Sequence, residues 1–188
     1  MLKGIVKTCI LAGCFSLASG AATAQEVIHA LTGTVAFVDT SAVTITIYTD
    51  NRAQSIFKDQ TNPPAVIEFD KNVRADTSDA AKKEGSYVIV YYRGGVDMRT
   101  AVALRGLGTG PFTTSSGTVV KFDGKEHSIS VKDETGTVQS FKITPDTVAE
   151  TGVGAVGGFK LRVDKNDRVR IVASTVNDSP TALFIKAM

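Results

Sequence analysis

Two stretches of this chain match each other without a gap at an offset of 84 residues. GTVAFVDTSAVTITIYTDNRAQSIFK (33–58) lies over GTVVKFDGKEHSISVKDETGTVQSFK (117–142). Identical pairs are Gly33/Gly117, Thr34/Thr118, Val35/Val119, Asp39/Asp123, Ile45/Ile129, Phe57/Phe141 and Lys58/Lys142. Self-similarity at a fixed period fixes the architecture before any single element is assigned, because each copy must build the same small unit. Within each copy, Val, Ile, Thr and Phe alternate with polar residues and are punctuated by Gly, Asp and Asn, the pattern of half-buried strands joined by turns. The later parts of the copies align as Val73 with Val148, Tyr87, Ile89 and Tyr91 with Phe159, Leu161 and Val163, and Ala101 with Ala173. The expected organisation is a first barrel repeat at 25–105, a linker at 106–114, a second repeat at 115–176 and a C-terminal segment at 177–188. Each copy alone is small enough to be marginal, so the two are expected to share an interface.

In the first copy the strands are expected at about 31–39, 42–49, 53–58 (with a continuation at 65–69), 86–92 and 96–104. A short helix is expected over 76–85: Thr77 or Ser78 can cap it, Asp79 suits its first turn, Lys82 and Lys83 its last, and Gly85 ends it. Three strands, a helix and two strands is the order of an OB-like barrel. A small SH3-like barrel is the alternative. The fold class is therefore all-β, two tandem small barrels with one short helix in the first.

A GTV opening (33–35 and 117–119), an Asp turn (Asp39, Asp123), an alternating Ile-containing strand (45–47 and 129–131), a later Gly before an apolar strand and an Ala-containing last strand occur in both copies. In this the chain resembles a group of exported bacterial small β-barrel domains of unknown function. The resemblance implies the barrel fold and export, and brings no catalytic residues with it.

The N-terminus supports export independently. Lys3 and Lys7 precede an apolar stretch from about Thr8 to Ala18, followed by the small-x-small site Ala22-Thr23-Ala24. This is the order of a cleavable signal peptide, 1–24, and the apolar run is too short to span a bilayer. Leu11-Ala12-Gly13-Cys14 offers a second reading, a lipoprotein anchored at Cys14. Cys9 and Cys14 are the only cysteines, so cleavage after Ala24 leaves no disulfide, thiol nucleophile or cysteine metal site. The chain carries 21 basic and 19 acidic residues, and loss of Lys3 and Lys7 leaves it formally neutral. No basic stripe points to nucleic acid.

GVGAVGG (152–158) has the G-x-G-x-x-G spacing of a dinucleotide-binding turn, but that turn needs a helix after it to receive the pyrophosphate. FKLRV follows instead, which reads as a strand with Phe159, Leu161 and Val163 on one face. The expectation is a glycine loop standing where the first copy has its helix, and no cofactor. His29 and His127 read as a residue near the mature N-terminus and a strand-end side chain, not as catalytic groups. DKNDR (164–168) and DGKE (123–126) carry oxygen ligands but fall in turns that favour Asp and Asn for backbone reasons, and they lack the Gly and distal Glu of a calcium loop. Glu68, Asp70, Asp133 and Glu134 read as solvated turn residues.

YVIVYY (87–92) is apolar on both faces. Its periodicity puts Tyr87, Ile89 and Tyr91 inside the barrel, so Val88, Val90 and Tyr92 face outward, either covered by the other barrel or TALFIKAM (181–188), or free as a binding surface. The functional expectation is a non-enzymatic binding or structural module of the bacterial cell envelope that offers a barrel face or strand edge to an envelope protein or oligosaccharide. A periplasmic small-ligand carrier and a hydrolase with an unrecognised site are the alternatives.

Overall fold

The computed structural model describes residues 26–74, 79–95, 98–108, 110–176 and 179–188, and the backbone alone at Val176 and Ser179. The signal peptide, Cys14 and the first residues of the expected helix lie outside the described residues. The chain forms two tandem β-barrels. In the first, β1 (His29–Asp39), β2 (Thr44–Thr49), β3 (Gln54–Asp59), β4 (Tyr87–Arg93) and β5 (Thr100–Gly106) close in the order β1-β2-β3-β5-β4. The β3–β5 pairing that completes the ring is parallel, Lys58 opposite Thr100. This is the OB-like order rather than the SH3-like one. Residues 79–81 are helical, and Ala81 is buried in the barrel core, where it closes one end.

The second barrel repeats the plan with β6 (Phe112–Asp123), β7 (Ser128–Lys132), β8 (Val138–Lys142), β11 (Arg168–Val176) and β12 (Ser179–Ala187). Its closing pair is again parallel, Lys142 opposite Thr181. Details recur at the offset of 84. The first strand is bulged between Val35 and Phe37, and β6 between Val119 and Lys121. Val43 and His127 both hold a left-handed backbone, φ 53° and 49°. Gly33 and Gly117 each lie where a Cβ would come within 2.4 Å and 2.2 Å of a carbonyl oxygen across the strand pair, so neither position admits a side chain.

The first hairpin of each copy was legible, but the second half of copy 2 differs from its sequence alignment. FKLRV is not a strand: Gly158–Lys160 form a 3-10 turn, and Leu161 and Val163 reach the core from irregular backbone while Phe159 is exposed. The counterpart of β4 is β11, and the counterpart of β5 is β12, so residues 179–187 supply the strand that closes the second barrel. GVGAVGG is not a glycine loop: it lies between β8 and β11 in the chain, as the helix lies between β3 and β4, but forms part of the hairpin β9 (Val148–Thr151) and β10 (Gly154–Gly157), whose β9 pairs with β12. Two of its glycines are there for close approach. A Cβ on Gly154 (φ 113°) would lie 2.5 Å from Val27 Cγ1, and one on Gly158 2.6 Å from Thr147 Cβ.

Between the barrels runs a shared apolar seam. Ala30, Ile67, Ile89, Tyr91, Val102 and Ala103 of the first barrel meet Val148, Val172 and Phe184 of the second. Polar groups cross it too. Arg105 Nη1 donates to Asp70 Oδ2 (3.0 Å) and to the Asp146 carbonyl (2.8 Å), and the Tyr91 hydroxyl donates to Asp70. Asp70 is thus a buried ion-pair partner, 4% exposed, and not the solvated turn residue expected from its position. Burial raises the Tyr91 hydroxyl pKa, and the charge of Asp70 and its hydrogen bond add to the shift. Glu150 accepts from His29 Nδ1 and from the Ala30 amide, each at 2.7 Å.

A candidate binding face on the first barrel

The faces of β4 are the reverse of those expected. Val88 and Val90 have no exposed surface and belong to the interior of the first barrel, packed with Ile45, Ile47, Phe57 and Leu104. Ile89 and Tyr91 point out of that barrel into the seam. The alignment of β4 with FKLRV set the phase wrongly by one residue, and a one-residue slip exchanges every side chain between faces. Val88, Val90 and Tyr92 therefore do not form one exposed surface. Tyr92 is half-buried. Its ring stacks on His29 (centroids 5.6 Å apart), meets Phe57 edge-on (5.4 Å) and carries the Arg99 guanidinium at 5.4 Å. Burial pushes its hydroxyl pKa up, the Glu150 charge adds to that, and Arg99 opposes it.

One group of exposed apolar residues lies on the outside of β1, β2 and β3. Strand alternation turns Ile45, Ile47 and Phe57 into the core and leaves Tyr48 and Ile56 exposed on the other face, where Thr46 is covered by its neighbours. On β1, simple alternation from Val35 would bury Phe37. The bulge after Val35 changes the phase, so Phe37 turns out and Val38 packs inward. Phe37, Thr46 and Ile56 then stand in one cross-strand row, with Tyr48 two residues along β2 from Thr46. Phe37 is 57%, Tyr48 52% and Ile56 59% exposed. Lys58 and Gln54 flank the row on β3.

The second barrel is an internal control for this surface. At the same register positions it carries Lys121 opposite Ser130, Ser140 opposite Ser130, and Lys132. Ser130 and Ser140 hydrogen-bond each other at 2.8 Å. The fold thus accepts a wholly polar face at these positions, and the apolar side chains of the first barrel are not required by its core. Sequence reasoning missed the face because Phe37 reads as core. Lys121 at the aligned position was the available signal, since a lysine there is almost never fully buried.

The other sequence candidates are placed individually. His127 stacks on Phe159 with centroids 4.0 Å apart. Asp123 accepts from the Lys125 and Glu126 amides, as Asp39 does from Ser41 and Ala42, and these bonds hold both carboxyls below their ordinary range. Asp167 accepts from the Asp164 amide within its own turn. Among the described residues no three metal-ligating side chains converge, and no helix is long and apolar enough to cross a membrane.

No protein-family model and no curated protein matches the chain. Among solved structures it is similar to Ag(I)-bound CusF, at 15% identity and a TM-score of 0.33 over 42% of this chain and 100% of that one. It is similar to apo-CusF residues 6–88 from Escherichia coli, at 15% identity and 0.34 over 44% and 93%. It is also similar to drosophila Unr CSD456, at 13% identity and 0.32 over 85% of this chain and 61% of that one.

Proposed function

We propose that this chain is a non-enzymatic binding module, exported to the bacterial cell envelope, whose first barrel presents its outer β1–β2–β3 face to a protein partner. One observation carries the reading: the row of Phe37, Ile56 and nearby Tyr48 stands exposed where the second barrel has Lys121, Ser140 and Lys132. Exposed apolar side chains clustered on one face, with a polar surround, are the mark of an interaction site, whereas single ones are not. Two aromatic rings supply large contact area at low entropy cost. An aliphatic residue between strands suits apolar side chains of a protein better than a sugar, which would draw on hydrogen-bonding groups. The second barrel, on this reading, serves to brace the first through the seam.

The test copies the second barrel's surface onto the first. Phe37→Lys, Tyr48→Lys and Ile56→Ser are combined in the full chain, and a photocrosslinking residue is placed at Thr44 in wild type and variant. Expected is one reproducible envelope partner crosslinked by wild type in intact cells and lost in the triple variant, with both far-UV circular dichroism and thermal midpoint retained. Exposed substitutions of this kind change stability by about 0.5 kcal/mol or less each. Equal crosslinking by the two proteins removes the face from the reading. Capture of envelope polysaccharide in place of protein replaces the partner class.

A further inference from the structure

A second surface, apart from that face, lies at the mouth of the first barrel where β11 and β12 of the second barrel come alongside it. It is a crevice of about 390 Å³, within the range of small-molecule sites, about 300–1,000 Å³. Arg99 comes from the first barrel, Arg170 and Lys186 from the second, and Tyr92, Asn51 and Ser55 contribute polar groups between them. Among the described residues, no aspartate or glutamate lines it. Charged groups behind the walls are already committed. Asp50 is 9% exposed at its side chain and accepts from Arg170 Nη2 (3.0 Å), Thr32 Oγ1 (2.6 Å) and the Tyr87 hydroxyl (2.7 Å). Glu150, opposite Lys186 in the β9–β12 register, has both oxygens taken by His29 and Ala30.

The three cations, by contrast, keep donors to spare. Among the described residues Lys186 makes no ion pair. Among the described residues Arg99 donates only through Nη1, to Ser55 Oγ at 3.3 Å, and its guanidinium lies near the Tyr92 ring. Arg170 bonds through Nη2 alone. Asp50 and Glu150 stand behind the walls, and among the described residues the unused donors of Arg99, Arg170 and Lys186 line a half-enclosed polar cavity. The second barrel again gives the contrast. The crevice beside its own β7–β8 turn is walled by Lys132 and Arg168 together with two carboxylates, Asp133 and Glu134. Excess donors around a concave site favour an anion, because charge-assisted bonds to Arg and Lys are roughly twice as strong as neutral ones.

We propose that this crevice binds a small polar molecule carrying one carboxylate or phosphate group, held by Arg99, Arg170 and Lys186. The ligand would touch both barrels at once. The test uses the full chain as the cell processes it, titrated calorimetrically and by amide NMR shifts with glucuronate, glucose 6-phosphate and glucose. Expected is saturable binding of at least one of the two anions, with shifts at Asn51, Ser55 and Lys186, and at least about ten-fold weaker binding of glucose. Glucuronate or glucose 6-phosphate as the tighter ligand assigns the carboxylate or the phosphate class. Lys186→Gln and Arg99→Gln, both at exposed or half-exposed positions, should each weaken that anion by about three- to ten-fold. Phe37→Lys should leave it unchanged, which separates this site from the partner face. Absence of saturable binding by both anions, equal binding of glucose, or unchanged affinity in both cation variants overturns the proposal.

Discussion

Phe184→Ala tests whether the two barrels are one cooperative unit. Phe184 sits on β12 of the second barrel with no exposed surface, among Ile89, Tyr91 and Val102 of the first. A buried phenylalanine removes about 150–250 Å² from water. At about 25 cal/mol per Å² that is about 4–6 kcal/mol for the whole residue, of which alanine retains a part. The strands lining the seam are held in their ladders and cannot collapse into the space, so a cavity cost is added, and about 3–5 kcal/mol is expected. The chain supplies its own local probe: it has four tyrosines and no tryptophan, and Tyr48, Tyr87, Tyr91 and Tyr92 all lie in the first barrel. Tyrosine fluorescence in urea therefore follows the first barrel, while far-UV circular dichroism follows both. The expected result is coincident transitions in wild type and in Phe184→Ala, the variant midpoint falling by about 1.5–2.5 M for a slope of about 2 kcal/mol/M. If the dichroism transition splits and the tyrosine midpoint stays where it was, the seam does not couple the barrels and the reasoning fails.

Three further outcomes are expected. Asp70→Asn leaves the Arg105 charge buried without its partner and should cost about 3–5 kcal/mol in urea denaturation, with Asp70→Leu/Arg105→Met recovering much of the loss. Gly154→Ala brings a Cβ against Val27 and the Ile28 carbonyl at φ 113°, and should lower the thermal midpoint, whereas Gly152→Ala, which meets nothing within 4 Å, should not. Burial raises the Asp59 pKa, but the Thr61 amide and hydroxyl and Lys82 outweigh it, so the carboxyl titrates below its ordinary 3.8. A depressed folded pKa gives stability that is present above 3.8 and lost as pH falls through the lower folded value. Because the group is partly solvated the effect is small, and Asp59→Asn should flatten the acid limb of a stability–pH profile below about pH 4 while changing little near neutrality.

Much of the fold was readable because the repeat made two weak signals agree. Gly33 and Gly117, or Asp39 and Asp123, are ordinary residues singly, and together they mark a hairpin and its turn. The reading failed where the copies diverge. Leu161 and Val163 are buried, but by irregular backbone, and burial alternating along a sequence does not reveal whether a ladder partner exists. That error set the phase of β4 and turned Val88 and Val90 to the wrong side. Asp70 read as a turn residue because the Arg105 that pairs with it is 35 residues away, and nothing local marks such a pair. Of the candidate surfaces only Tyr92 was named, and it lines the crevice. The Phe37 row was hidden by a bulge, which has no residue signature of its own beyond the lysine in its repeat.

The last strand carries a consequence for how the molecule is made. A chain delivered from its N-terminus can pair β1 through β5 early, but the second ring closes only when Thr181 reaches Lys142. Until then Ile89 and Tyr91 have no Phe184 against them. The finished first barrel must wait beside an open sheet with its outer wall bare, and long-range closure of this kind is slow. The interval before residues 179–187 arrive is thus when the protein is most exposed to proteases and to stray strand partners. A nonsense mutation near the C-terminus would prolong that interval indefinitely, and would cost the cell both barrels rather than a few terminal residues.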